Sequence, residues 1–255
     1  MKLISDYHSH PQGHRIQPYT QGLLQPWIES ARERGLNDIA FTDHDRYHAG
    51  INFDELDKLR DANPDIKIRA GIELDNDPET SAAGSAWVEK NWEQLDFVLG
   101  SVHYLDDPTQ MFDSVPDGAG QFVGRDINEV YEDYFRRIRE IAATDLIDCL
   151  SHLDLIKIHG HRPCGDIRAV VSETLNFIRD RNLAVELSTA GWRKPVDELY
   201  PPTKSSGWQW RKEYSSRPLQ TRIRTCSLAR TTNDSGRRWS SWAFTKSASS
   251  KNTSA

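Results

Sequence analysis

Five short apolar runs each end in a side chain that can bind a metal, and that recurrence restricts the fold more than any other feature of the chain. Leu3-Ile4 leads through Tyr7 into His8-Ser9-His10. Phe41-Thr42-Asp43 ends in His44, Gly71-Ile72 in Glu73, Gly100-Ser101-Val102 in His103, and Leu150-Ser151 in His152. Antiparallel hairpins would send alternate run ends to opposite rims, whereas parallel strands send them all to one. Neutral imidazoles and a carboxylate gathered on one rim are the donor set of borderline divalent cations. Each piece alone is weak. A lone H-x-H is ordinary, and His48, His159 and His161 lie outside the pattern. Repetition at one topological position carries the reading.

The segments between the runs are helical. Thr20 is a candidate N-cap for a helix in which Leu23, Leu24, Trp27, Ile28 and Ala31 recur at helical spacing up to Gly35. Asp126 is a candidate cap for the stripe Ile127, Val130, Tyr134, Phe135, Ile138 and Ile141. Further helices are expected over 53–59, 87–92 and 166–179, and strands over 2–7, 39–41, 66–70, 97–99, 146–150 and 183–187. A glycine- and aspartate-rich loop fills 105–125. Strand and helix alternate throughout, so the sheet should be parallel. Ligands at nearly every strand end favour a barrel over an open doubly wound sheet, which gathers its site at one switch point.

Composition narrows the class. No run approaches the roughly 20 apolar residues that span a bilayer, and no signal peptide is visible before the first strand. Cys149, Cys164 and Cys226 form no C-x-x-C pair and read as free thiols, Cys149 as a packed core residue. The expected location is cytoplasmic. Charge is uneven. Residues 204–255 hold eleven Lys or Arg against Glu213 and Asp234, a balance of +9, while 1–203 hold 21 basic and 36 acidic groups, or −15. A basic tail can signal nucleic-acid binding, but its composition has another explanation, given below.

The motifs resemble the polymerase-and-histidinol-phosphatase (PHP) superfamily, and within it the histidinol-phosphatases. The matching stretches are His8-Ser9-His10, Gly13-His14, Phe41-Thr42-Asp43-His44, Gly71-Ile72-Glu73, Gly100-Ser101-Val102-His103, Ser151-His152-Leu153-Asp154, Gly160-His161-Arg162-Pro163, and Arg193-Lys194-Pro195 with Tyr200-Pro201. The resemblance covers residues 2–203. It implies a distorted seven-stranded (β/α) barrel of the TIM-like kind and two or three divalent metal ions, Zn, Mn or Fe. It implies hydrolysis of L-histidinol phosphate, a small phosphomonoester, with neither nucleic acid nor membrane as partner. His8, His10 and Glu73 would hold one ion. Glu73 would bridge to a second, shared with His103 and His152, and His14 and His44 would contribute to a third. Glu73, His103 and Arg162 would carry the catalysis, Arg162 and Arg193 would contact substrate, and Asp43 and Asp154 would orient imidazoles. Another phosphoesterase of the superfamily, or a metal- or phosphate-binding module without activity, is the alternative.

One departure stands out. The family closes its site with a strand ending in S-D-A-H, whose Asp and His complete the first and third metal sites. No histidine follows His161 here. The genetic code offers an explanation. Permitted codons for Glu213 to Arg224, shifted by one nucleotide, read G-I-L-V-A-T-A-S-D-A-H-T. In the same frame Lys204 to Lys212 can read E-V-L-R-L-A-V-A-E, and Trp242 to Thr253 can read L-G-F-H-K-V-R-V-F-E-E-H. Residues 1–203 are therefore read as the PHP domain, and 204–255 as an out-of-frame tail, expected to be disordered, produced by a frameshift or a base-call error near residue 204. The last barrel units would be missing or scrambled, this copy would have little activity, and the basic charge would be an accident of codons.

Overall fold

The structure, a computed structural model, describes residues 5–202 and the backbone of 223–224. Seven strands, β1 (Ser5–Asp6), β2 (Asp38–Phe41), β3 (Lys67–Asp75), β4 (Phe97–Ser101), β5 (Cys149–Leu150), β6 (Ala184–Glu186) and β7 (Ile223–Arg224), form one sheet in chain order. Every pairing is parallel, with Ile39 opposite Ile68, Glu73 opposite Leu99, Leu99 opposite Cys149, and Cys149 opposite Ala184. Right-handed crossovers between strands that never reverse order put every helix on one face. The other face must then bury itself by curling, so the sheet is that of a distorted (β/α) barrel.

Alternation along the strands sorts the two faces. Ile39, Phe41, Ile68 and Ala70 point outward and pack with Leu24 and Ile28 of α1 (Gln21–Glu33) and Leu56 and Leu59 of α2 (Phe53–Ala62). Ile72, Leu74, Val98 and Leu150 meet Val88 of α3 (Ser81–Lys90), Val130, Tyr134 and Ile138 of α4 (Ile127–Ala142), and Val171, Leu175 and Ile178 of α5 (Arg168–Asp180). Tyr7, Ala40, Phe97, Leu99, Cys149 and Ala184 fill the interior, where Cys149 is fully buried. Below them the Tyr7 hydroxyl donates to Asp38 at 2.6 Å and the Arg69 guanidinium pairs with the same carboxylate at 2.7 Å, a polar plug at the N-terminal end of the barrel.

Both expected caps are present. Thr20 accepts from the Leu23 N–H and Asp126 from the Asn128 N–H. Helix α3 begins well before the expected start at residue 87. Its first turns, Ser81-Ala82-Ala83-Gly84, carry no apolar period because they pack close to the loop after β2. A β-carbon on Gly84 would lie 2.2 Å from Asp45 Oδ2. Strand β5 is two residues long rather than five. The expectation of a disordered tail lies outside the described residues, except that Ile223 and Arg224 pair in parallel with β6. Among the described residues, no helix is long and apolar enough to cross a membrane.

Candidate metal centre

Because the strands are parallel, their C-terminal ends deliver His8, His10, His44, Glu73, His103 and His152 to one mouth. Glu73 sits at the centre, fully buried on the inner face of β3. Its Oε2 lies 3.2 Å from His8 Nε2, 3.4 Å from His10 Nε2 and 3.2 Å from His44 Nδ1, and its Oε1 lies 3.4 Å from His152 Nε2. The Ser101 hydroxyl donates to Oε1, and the Ser151 hydroxyl approaches it at 3.4 Å. His103 completes the ring, its Nε2 3.3 Å from His152 Nε2. His14 arrives by a tight turn. Gly13 and His14 both have left-handed backbone, φ 61° and 63°, which folds the His14 ring back to 5.4 Å from the rings of His10 and His44.

Two carboxylates absent from the sequence reading hold the imidazoles in place. Glu186 on β6 receives His8 Nδ1 at 3.1–3.2 Å through both oxygens and also accepts the His152 N–H at 2.8 Å. Asp75, two residues beyond Glu73 on the same face of β3, accepts from His103 Nδ1 at 2.9 Å and from Arg46 at 3.0 Å. The orienting role expected of Asp43 and Asp154 falls to these two instead. Asp43 accepts from the Tyr19 hydroxyl at 2.8 Å and the Gln12 N–H at 3.1 Å, which ties down the loop after β1, and Asp154 pairs with Lys157 at 2.7 Å. The i, i+2 spacing to Glu73 was a usable signal for Asp75. Glu186 had only the oddity of a carboxylate inside an apolar run.

Hydrogen-bond logic shows that the residues fit a cation. His8 uses Nδ1–H on Glu186, so the neutral ring presents a bare lone pair at Nε2. That lone pair faces Glu73 Oε2 and, at 3.1 Å, His10 Nε2. His103, bound to Asp75 through Nδ1, presents Nε2 to His152 in the same way. His10 Nδ1 and His44 Nδ1 are buried without a hydrogen-bond partner. Lone pairs packed against lone pairs require a proton or a cation between them. The 3.1–3.4 Å spacings match the edge of a tetrahedron with Zn–N bonds of about 2.0–2.1 Å, roughly 3.3–3.4 Å. Among the described residues three groupings of ligand atoms lie within 4.8 Å of one another: His8–Glu73–His152, His10–His44–Glu73 and His44–Asp75–His103. They divide the expected residues differently, bring in Asp75, which the sequence reading did not include, and leave out His14; Asp75 reads as the orienting partner of His103 given their direct hydrogen bond.

Electrostatics follow the same division. Burial disfavours the charged form of His8, but Glu73 and Glu186 outweigh it and raise its pKa well above the ordinary value. His103 is likewise pushed up to about 10 against burial, by Asp75, Asp113 and Glu73. Burial pushes His10 down to about 3 despite Glu73, and His44 well below its usual range. Against its own burial, Glu73 is held ionised by His8 and His44. Protons and cations thus compete for the same atoms, and loading a metal must expel protons. Replacing Glu186 by Gln removes the anion that fixes the His8 ring while keeping its shape. Metal affinity is expected to fall about 10–100-fold with the fold intact, as measured by competition with a chromophoric chelator. Unchanged affinity would show that Glu186 does not position His8.

The arginines separate. Arg162 is engaged, its Nη2 2.8 Å from Glu198 Oε1 and its Nη1 near the carbonyls of Lys157 and His161. Arg193, just after β6, makes no hydrogen bond or ion pair among the described residues. Burial lowers its pKa, opposed by the charge of Asp6.

Parallel strands in sequential order with this histidine–carboxylate ring at their C-terminal ends define an α/β barrel with a candidate metal centre at its mouth. The sequence profile of the PHP domain matches residues 6–190, and the chain belongs to that family. It is 31% identical over 220 residues to a probable histidinol-phosphatase of Deinococcus radiodurans, with 79% of each chain covered. Its fold is similar to that of a candidate histidinol phosphatase from Listeria monocytogenes, with a TM-score of 0.61 at 18% identity, covering 78% of this chain and 88% of the other.

Proposed function

We propose that the centre hydrolyses L-histidinol phosphate to L-histidinol and phosphate, using two or three divalent cations. The observation that carries this reading is the set of imidazole nitrogens gathered on Glu73, in a chain 31% identical to a probable histidinol-phosphatase. His8, His10, His44, Glu73, His103 and His152 would hold the cations, with His14 contributing from the rim. Bound there, such ions make water acidic enough to serve as nucleophile near neutral pH and offset charge on the attacking and leaving oxygens. The protein's own part is positioning. Ser101 and Ser151 fix the Glu73 carboxylate, Glu186 and Asp75 fix the tautomers of His8 and His103, and Arg193 offers its fork to phosphate oxygens.

The deciding assay uses a chain with the restored reading frame and compares L-histidinol phosphate with other phosphomonoesters before and after chelation. Histidinol phosphate should be the preferred substrate, and activity should vanish on chelation and return with Zn, Mn or Fe. Full turnover after exhaustive chelation would overturn the metal dependence. Good turnover of another ester with none of histidinol phosphate would overturn the substrate.

The two arginines provide a second test. Arg193→Ala is expected to raise KM about tenfold or more, the loss of one charged hydrogen bond. Arg162→Ala should cost less in KM, because that guanidinium must first leave Glu198. Equal effects would place both on the phosphate.

A further inference from the structure

Beside the metal centre, on the side formed by the ends of β4, β5 and β6, acidic and phenolic groups converge that the steps above do not use. Phe112 is pinned there from both sides. Its N–H donates to the His103 carbonyl at 2.9 Å, and its carbonyl lies 2.7 Å from His159 Nε2. The next residue, Asp113, therefore stands at the mouth next to a metal ligand, close enough to help raise His103 and to act on His14. Two residues after His152, the carboxylate of Asp154 is buried, and its Oδ1 has no partner. Tyr200 is tied to the end of β6 by reciprocal backbone hydrogen bonds with Ser188 of 2.7 and 3.0 Å. Its ring is fully buried, its hydroxyl has no hydrogen-bond partner, and the charges acting most strongly on that hydroxyl are Asp154 and Asp113.

The cations nearby are already committed. Lys157 Nζ contacts Asp154 Oδ2 at 2.7 Å and Glu198 at 3.2 Å, and Arg162 takes the other oxygen of Glu198. Asp113 has no ion pair or hydrogen-bond partner for its carboxylate among the described residues, and its Oδ1 is buried. A buried carboxylate oxygen without a donor is costly unless a bound group supplies one, and the described residues supply none to Asp113 Oδ1. We infer that Asp113, backed by Asp154 and the Tyr200 hydroxyl, forms a cation subsite that binds the protonated amine of the alcohol part of the substrate. This rests on the phosphomonoesterase reading above and adds to it that the enzyme selects aminoalkyl phosphates. Phosphate would lie on the metal side with Arg193, and the ammonium on the side of β4 and β5.

Binding of the released alcohol tests the subsite apart from catalysis. The full chain, loaded with zinc, is titrated with L-histidinol, with its des-amino analogue imidazolylpropanol, with ethanolamine and with inorganic phosphate, followed by ligand-detected NMR. L-Histidinol should bind at least about tenfold more tightly than imidazolylpropanol, the difference a charged hydrogen bond makes. Asp113→Asn should erase that difference and leave phosphate affinity unchanged, and Asp113→Glu should restore part of it. No preference for the amine in the unaltered chain, an Asp113→Asn variant that keeps the preference, or an equal loss of phosphate binding would each overturn the proposal. Failure of the histidinol phosphatase reading alone looks different: ethanolamine would bind in an Asp113-dependent way, while neither L-histidinol nor imidazolylpropanol would bind measurably.

Discussion

Replacing Glu73 by Ala is expected to abolish cation binding at the centre of the mouth and, with it, phosphatase activity. The carboxylate is fully buried and lies within 3.4 Å of nitrogens from four histidines, so no neighbouring side chain can substitute for it. Its loss removes the anion shared by two of the three ligand groupings. A change in an orienting partner costs about 10–100-fold in metal affinity or activity, and loss of a shared ligand should exceed that range. The measurement is metal content after dialysis, read together with turnover of histidinol phosphate. Glu186→Gln is the internal control, because it alters the orientation of His8 and leaves the ligand set complete. A Glu73→Ala chain that keeps two ions, or loses no more activity than Glu186→Gln, would remove Glu73 from the centre of the mechanism.

If residues 204–255 are out of frame, restoring the frame after residue 203 is expected to raise solubility, thermal stability and phosphatase activity together. Composition is the first reason. Residues 204–255 carry a balance of +9 and few apolar residues. Such a composition offers little apolar surface to offset the roughly 1–2 kcal/mol per residue that ordering a backbone costs. Sheet geometry is the second. Among the described residues β1 and β7 are the two ends of the ladder, and an unpaired edge invites association between chains. Ligand supply is the third, because the frame that the permitted codons allow would add the Asp and His that the family resemblance implies for the first and third metal sites. The comparison needs both chains, each assayed for melting temperature, soluble yield and turnover. Equal activity from the two would mean that another group supplies the missing ligands.

Much of the site was legible because a parallel sheet repeats one event. Each βα unit returns its strand end to the same rim, so His8, His10, His44, Glu73, His103 and His152 could be grouped from their shared position alone. The caps of α1 and α4 followed from local chemistry at Thr20 and Asp126. The start of α3 was hidden because a helix that packs closely uses small residues, which leave no apolar stripe.

What the sequence determined by itself was therefore the parallel α/β architecture and the membership of the histidine–carboxylate ring, both consequences of short-range periodicity. Only the tertiary structure decided how the ring is held. Glu186 reaches His8 across 178 residues. Asp43 turns to Tyr19 rather than to an imidazole. Arg162 is taken by Glu198, 36 residues away, while Arg193 stays unpaired among the described residues. A buried polar group takes whichever partner the closed sheet brings within about 3 Å. That choice depends on the curvature of the barrel and the course of its loops, which no local pattern of residues encodes.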